Sequence, residues 1–149
     1  MLLQQSMGWT FVASEANRYR YAAPTRGIGA IVDVVCSPDV AIGELGAGTV
    51  HHIAYRTADD NQQKEWLDLL ARGGYNVTPV MDRTYFHSIY FREPGGVLFE
   101  IATDPPGFAL DEPREHLGER LMLPAWLESR RRVVESRLPH LELPAPSRA

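Results

Sequence analysis

Residues 85–104 read YFHSIYFREPGGVLFEIATD, two apolar runs joined by Glu93-Pro94-Gly95-Gly96. The first run, 85–92, is dense in aromatic and β-branched side chains, and the second, 97–103, is nearly continuous apolar. Both compositions suit strands. Proline at the first corner and glycine where φ turns positive make the join a tight turn, so the stretch predicts a β-hairpin. Glu100 breaks its pattern, with Leu98-Phe99 before it and Ile101-Ala102 after it. A carboxylate in a buried strand costs several kcal/mol unless it is paired, protonated or bound to a cation. Glu100 is therefore the first functional candidate.

Working outward, residues 50–56 (VHHIAYR) read as a strand. Asp59 or Asp60 can cap a helix running to about Arg72, with Trp66, Leu67, Leu69 and Leu70 as its buried stripe and Gly73-Gly74 as its stop. A strand over 76–80 then leads into the hairpin, giving β-α-β-β-β. Ahead of this unit, residues 2–7 read as the end of a helix stopped by Gly8, and strands are expected over 9–14, 18–22 and 30–35. The two halves repeat. Gly8-Trp9 matches Gly74-Tyr75, Ile31-Val32-Asp33-Val34-Val35 matches Leu98-Phe99-Glu100-Ile101-Ala102, and Ser37-Pro38-Asp39 matches Asp104-Pro105-Pro106. An internal duplication is the economical reading. The segment carrying His52 maps back to a point before Met1, so the first unit is expected to lack its leading strand. The expected organisation is an incomplete first module over 1–45, a complete second module over 46–106, and an extension over 107–149. Within the extension, Pro124 opens a helix to about Leu138 with Trp126, Leu127, Val133, Val134 and Leu138 as contacts, and an extended tail follows.

Three groups of segments, GTVHHIAYR at 48–56, the hairpin at 85–104, and the later PGFALDE, HLGERLMLP and LPHLELP pieces, resemble the vicinal-oxygen-chelate superfamily of glyoxalase I, extradiol dioxygenases and bleomycin-resistance proteins. Within it they look most like the C-terminal portion of bacterial ring-cleaving dioxygenases of the hydroquinone type. The resemblance implies an α+β fold of paired β-α-β-β-β modules. It implies metal-dependent oxidative cleavage of a dihydroxylated aromatic, with a glyoxalase-like lyase or isomerase, or a non-catalytic binding module, as alternatives. By position in the family pattern, His52 and Glu100 correspond to two metal ligands, with Fe(II) expected and Mn(II) as the other choice. Strand parity agrees, since His52, Ala54 and Arg56 share one face, as do Leu98, Glu100 and Ala102. A third ligand belongs to the strand that maps before Met1. Tyr90, ten residues before Glu100, corresponds to an active-site tyrosine, and His87 is a candidate acid/base if a bulge turns it onto the same face. His51 is expected to point away. Asp33, the internal counterpart of Glu100, is a substitute ligand or the partner of a surface arginine.

The rest of the composition bounds these readings. The chain has 149 residues, 44% hydrophobic and 23% charged, enough for one soluble domain with a core. A formal net charge of −4 and the lack of a basic-aromatic cluster argue against nucleic-acid binding. Arg130-Arg131-Arg132 sits among glutamates and reads as a solvated helix face. Cys36 is the single cysteine, so no disulfide framework exists, Met1-Leu2-Leu3 lacks the basic region and long apolar core of a signal peptide, and no apolar run approaches membrane length. A cytoplasmic protein without a membrane partner is expected. A three-stranded first module would leave one sheet edge open beside an apolar face, which predicts a homodimer or larger assembly.

Overall fold

A computed structural model describes residues 2–25, 27–41 and 43–140. It is an α+β fold of two sheets. β1 (Thr10–Glu15), β2 (Arg18–Ala22) and β3 (Ile31–Val35) form an antiparallel meander in the order β1-β2-β3. β4 (Ile53–Thr57), β5 (Met81–Asp82), β6 (Phe86–Arg92) and β7 (Leu98–Pro106) form a second sheet in the order β4-β7-β6-β5, and α1 (Asp60–Arg72) connects β4 to β5. A π-helical turn, Leu2–Ser6, precedes β1 and buries Leu2 and Leu3. Among the described residues no helix is long and apolar enough to cross a membrane.

The hairpin forms as its sequence requires. Glu93 N–H donates to Val97 O at 3.0 Å, and Gly96 adopts a φ of +91° in the turn. The Glu93 carboxylate locks the corner by accepting from the Gly95 and Val97 amides, both at 2.8 Å. α1 begins where expected. Asp59 caps it by accepting from Gln62 N–H at 2.9 Å, and the chain leaves it through Gly73 and Gly74, the latter at a φ of +83°. Its buried stripe differs from the expectation at one place: Leu70 is fully buried, Leu69 is 38% exposed, and the polar Gln63 takes an inward position. Positions 63, 66, 67 and 70 follow the i, i+3, i+4, i+7 spacing of one helix face, which leaves Leu69 off it.

Gln63 is inward because β6 bulges between Phe86 and Ser88. A bulge leaves main-chain groups without ladder partners, and each must be satisfied another way. The Gln63 side-chain amide donates to His87 O and Ile101 O, both at 2.8 Å, and His87 N–H donates to Thr103 Oγ1 at 3.0 Å. Around this plug Leu70, Ile89, Phe91, Phe99 and Ile101 form the core. Phe91 meets Phe99 edge-on at 5.8 Å, and Tyr55 meets Phe99 at 5.0 Å. Trp9, just ahead of β1, packs edge-on against Tyr55 of β4 at 6.0 Å and joins the two sheets.

Two expected elements are different. Residues 76–80 do not form a ladder strand, and the fourth strand of the second sheet is the two-residue β5. Pro79 has no N–H to offer. Thr78 N–H does donate to Tyr90 O at 2.9 Å, but Tyr90 N–H is returned to the Thr78 side-chain hydroxyl at 3.0 Å rather than to main chain. The single helix expected from Pro124 is a 3-10 segment, Ala125–Arg130, followed by the short α2, Arg131–Glu135. Trp126 is 75% exposed and neither piece buries a residue, so no packed face stabilises a longer helix. The tail expected after residue 140 lies outside the described residues.

The start of α1 is also tied to β6. His87 Nδ1 lies 2.6 Å from Asp60 Oδ1. This hydrogen bond raises the imidazole above its ordinary pKa of 6.5, against a smaller opposing effect of burial and with help from the charges of Asp60 and Asp82. With the folded value raised, the contact stabilises fully below pH 6.5 and is lost as pH rises through the folded pKa. Asp60→Asn is therefore expected to move the His87 titration, followed by NMR of the imidazole, to lower pH. An unchanged midpoint would contradict the contact. In the core, Leu70→Ala is expected to cost about 2–5 kcal/mol in denaturant unfolding, whereas Leu69→Ala on the same helix should change stability by about 0.5 kcal/mol or less. Equal costs would show that the helix face has been misassigned.

Candidate functional site

The site is built by strand alternation across three neighbours. β4 runs parallel to β7 with Ala54 beside Glu100, and β6 runs antiparallel with Tyr90 opposite Glu100 and Ser88 opposite Ala102. Side chains of residues level with one another share a face, so Ala54, Ser88, Tyr90 and Glu100 project together, away from α1. Ile89, Phe91, Phe99 and Ile101 project into the core. Glu100 is 3% exposed.

Its carboxylate is fully engaged. His52 Nε2 lies 2.6 Å from Glu100 Oε2. The Tyr90 hydroxyl donates to Oε1 at 2.7 Å, and the Ser88 hydroxyl donates to the same oxygen. The His52 ring stands edge-on to Tyr90 at 5.9 Å. On its other side His52 Nδ1 is 2.8 Å from His51 Nδ1. With Nε2–H turned to Glu100, Nδ1 of a neutral His52 accepts from His51 Nδ1–H. His51 therefore does not point away as expected. Both histidines precede the first paired residue of β4, Ile53, so the alternation that separates neighbours in a strand does not apply to them.

Two partners of this cluster are not apparent from the sequence pattern. Ser88 is a small hydroxyl in an aromatic strand, and only its register against Ala102, beside Glu100, gives it meaning. Arg83 sits in the β5–β6 connection, donates Nε–H to the Tyr90 oxygen at 3.3 Å, and places its guanidinium carbon 5.3 Å from the centre of the Tyr90 ring. The connection is held tightly. Thr84 takes a φ of +68°, its N–H donates to Asp82 Oδ1 at 2.7 Å, and Arg83 N–H donates to Phe86 O at 2.9 Å. A threonine in the left-handed region is uncommon and needs such support. Arg83, Tyr90 and Glu100 thus form a chain of three polar groups leading inward.

His87 is not part of this chain. The bulge does not turn it onto the Glu100 face, and it faces α1 and Asp60. Asp33 is also separate. In the first sheet Arg20 lies opposite Asp33 as Tyr90 lies opposite Glu100, and Arg18 lies opposite Val35 as Ser88 lies opposite Ala102. The two hydroxyls around Glu100 are replaced by two guanidiniums. Arg20 Nε donates to Asp33 Oδ1 at 2.8 Å, and Arg18 Nη1 donates to Oδ2 at 3.1 Å. Hydrogen bonding from Arg20, more than from Arg18, pulls the Asp33 pKa down to about 2. Asp33 is thus the partner of surface arginines, one of the two alternatives left by its sequence. Among the described residues no three His, Cys, Asp or Glu side chains converge as a metal-binding group, so His52 and Glu100 stand as a pair.

This geometry has relatives. MhqO of Bacillus subtilis (strain 168), provisionally named a ring-cleaving dioxygenase, is 50% identical over 137 residues, 92% of this chain and 43% of MhqO. The chlorohydroquinone/hydroquinone 1,2-dioxygenase of Sphingobium indicum is 39% identical over 117 residues, 76% of this chain and 36% of that protein. The chain thus spans less than half the length of these curated relatives. A crystal structure of a provisionally named dioxygenase from Bacillus subtilis subsp. subtilis str. 168 superposes with a TM-score of 0.86 at 50% identity, covering 95% of this chain and 45% of that one. A more distant likeness, of fold alone, is the fosfomycin resistance protein FosX from Listeria monocytogenes, solved with Mn(II) and sulfate, with a TM-score of 0.53 at 19% identity over 70% of this chain and 78% of that one. Residues 5–101 match the family pattern described as Glyoxalase/Bleomycin resistance protein/Dioxygenase superfamily. The chain belongs to the glyoxalase, bleomycin resistance protein and dioxygenase superfamily.

Proposed function

We propose that residues 46–106 carry part of the active site of a ring-cleaving dioxygenase acting on a small dihydroxylated aromatic, with His52 and Glu100 as ligands of a divalent cation, Fe(II) or Mn(II). The observation that carries this reading is the buried Glu100 carboxylate with His52 Nε2 at 2.6 Å, on a strand where its neighbours Phe99 and Ile101 belong to the core. An imidazole nitrogen and a carboxylate oxygen are the donor types of a facial triad, which completes itself with a second histidine. The donor set fits a cation through two ligands, and the third is not supplied by the described residues. The names of the relatives, ring-cleaving and hydroquinone dioxygenases, supply the substrate class.

A redox-active cation held there supplies Lewis acidity toward the two ring oxygens and an electron path to dioxygen. The chain's own residues do the rest. Ser88 and Tyr90 both donate to Oε1 of Glu100, which leaves Oε2 as the oxygen turned to His52. That division orients the carboxylate before any ligand arrives, as outer hydrogen bonds commonly do for metal-binding groups. The Tyr90 hydroxyl is placed to exchange its bond to Glu100 for one to a ring oxygen of the substrate. Arg83 holds the phenol oxygen from the solvent side. Its guanidinium and the edge-on aromatic rings of Tyr90 and His52 suit a flat, electron-rich substrate.

Calorimetric titration with Mn(II), which avoids air oxidation of iron, tests the ligand assignment. His52→Ala and Glu100→Ala are each expected to lower affinity at least tenfold, about 1.4 kcal/mol, and Ser88→Ala about 10–100-fold as a supporting partner. Unchanged affinity in Glu100→Ala would remove the assignment. With two ligands from the described residues, the 149-residue chain alone, loaded anaerobically with Fe(II), is expected to retain metal weakly and to consume little oxygen on hydroquinone. Full turnover would mean that the ligand set is complete within this chain or a second copy of it.

A further inference from the structure

β5 lies at the edge of the second sheet and pairs with β6, Met81 level with Ser88 and Asp82 level with His87. Residues level with one another share a face, so Met81 projects on the side that carries Ser88, Tyr90 and Glu100. Its sulfur is met there by Arg83, whose Nη2 donates to Met81 Sδ at 3.7 Å. Met81 is 37% exposed. The other methionines within the described residues, Met7 and Met122, are half-buried, and Met7 packs against the core.

Arg83 is short of acceptors. A guanidinium carries five N–H donors in a fixed fork and accepts nothing in return. The guanidiniums of Arg18, Arg20, Arg56 and Arg131 each reach a carboxylate. Among the described residues Arg83 reaches none. Its hydrogen-bond acceptors are the Tyr90 oxygen, at a long 3.3 Å, and the Met81 thioether. A thioether sulfur is a poor acceptor, so Arg83 is only loosely fastened to β5. A stronger acceptor at the Met81 sulfur, facing the same donor, would tighten that hold without moving a strand.

We propose that Met81 is a site of sulfoxidation by peroxide, and that the oxygen added to its sulfur fastens Arg83 over Tyr90. The oxidant is hydrogen peroxide. A lone pair of Sδ attacks one peroxide oxygen, the O–O bond breaks and an S–O bond forms. The departing hydroxide takes the proton of the transferred oxygen and leaves as water. Sulfur gives up two electrons and the peroxide gains them. The product is uncharged but polar, and its oxygen is the acceptor that the thioether is not. Set between Sδ and Nη2, that oxygen receives the Arg83 donor already aimed at the sulfur. The change adds no net charge and acts on the outermost group of the chain Arg83, Tyr90, Glu100. The proposal does not rest on the metal reading.

The test uses the 149-residue chain free of metal, with a chelator present so that no iron-derived radical contributes. NMR of isotope-labelled methionine methyl groups follows each residue in dilute hydrogen peroxide, and peptide mass mapping places the added oxygen. Met81 is expected to oxidise about threefold or more faster than Met7 and Met122, following its exposure. Solvent exchange of Arg83 Nε–H, assigned through Arg83→Lys, is then expected to slow about threefold or more, the factor that one added hydrogen bond supplies. Met81→Leu under the same peroxide should show no change at Arg83. Met81→Gln, which sets a carbonyl oxygen in place of the sulfoxide oxygen, should show the slowing without peroxide. Met81 belongs to an exposed two-residue edge strand, so neither substitution disturbs the core. Oxidation of Met7 or Met122 as fast as Met81 overturns the proposal, and so does unchanged exchange at Arg83 once Met81 is fully oxidised. Either result leaves the Mn(II) titration, which reads His52 and Glu100, as it stands.

Discussion

Side chains from β4, β6 and β7 can meet on one face only while Ala54 stays level with Glu100 and Tyr90 stays opposite it. A slip of one residue would turn Glu100 into the core and Phe99 and Ile101 out of it. Several contacts hold the register. The exit of β4 is pinned where Thr57 Oγ1 and Ala58 N–H both donate to Gln62 Oε1, at 2.6 and 2.9 Å. Arg56 clamps Asp104 of the neighbouring strand through two bonds of 2.6 Å. One helical position further on, Gln63 satisfies the bulge of β6 and the carbonyl of Ile101. A leucine at position 63 would bury more apolar surface and leave two carbonyls without partners, which is the more expensive choice.

Much of this was legible before any coordinates. The hairpin, the α1 cap at Asp59 and the interruption of an apolar strand by Glu100 are local signals, and each survives in the fold. Tyr90 is singled out by the family resemblance, and the register of the hairpin sets it opposite Glu100. What could not be read depends on partners distant in the chain. Ser88 acquires its role from a register set by the whole hairpin. Arg83 depends on a threonine in a left-handed conformation, and Gln63 on a bulge 24 positions away. The strand at 76–80 and the long helix from Pro124 failed for one shared reason. Propensity suggests such elements, but hydrogen-bond partners or a packed face must complete them, and here neither is supplied.

The internal repeat shows how little separates a candidate ligating carboxylate from a structural one. Asp33 and Glu100 occupy matching places on matching strands, each opposite a residue of the preceding strand. Their neighbours differ. Glu100 takes its hydrogen bonds from uncharged hydroxyls in a buried setting, whereas Asp33 takes its from two exposed guanidiniums. The difference between a candidate metal ligand and an ordinary ion pair lies in Ser88 and Tyr90 against Arg18 and Arg20 on the adjacent strand, and in the contact of His52 with Glu100.

The contact between Trp9 and Tyr55 has a mechanical meaning. Among the described residues no hydrogen-bonded ladder joins the two sheets, and the link between them is packing of aromatic and aliphatic side chains. Ladders are directional and tolerate small strains, whereas dispersion contacts lose a quarter to a half of their attraction when a gap of about 0.5–1 Å opens. The four-stranded half has its own helix and contributes Leu70, Ile89, Phe91, Phe99 and Ile101 to the core. The three-stranded half is coupled to it across a seam only as strong as that contact is tight. Coupling between the halves runs through packing in which the indole of Trp9 takes part, far along the chain from the Glu100 carboxylate.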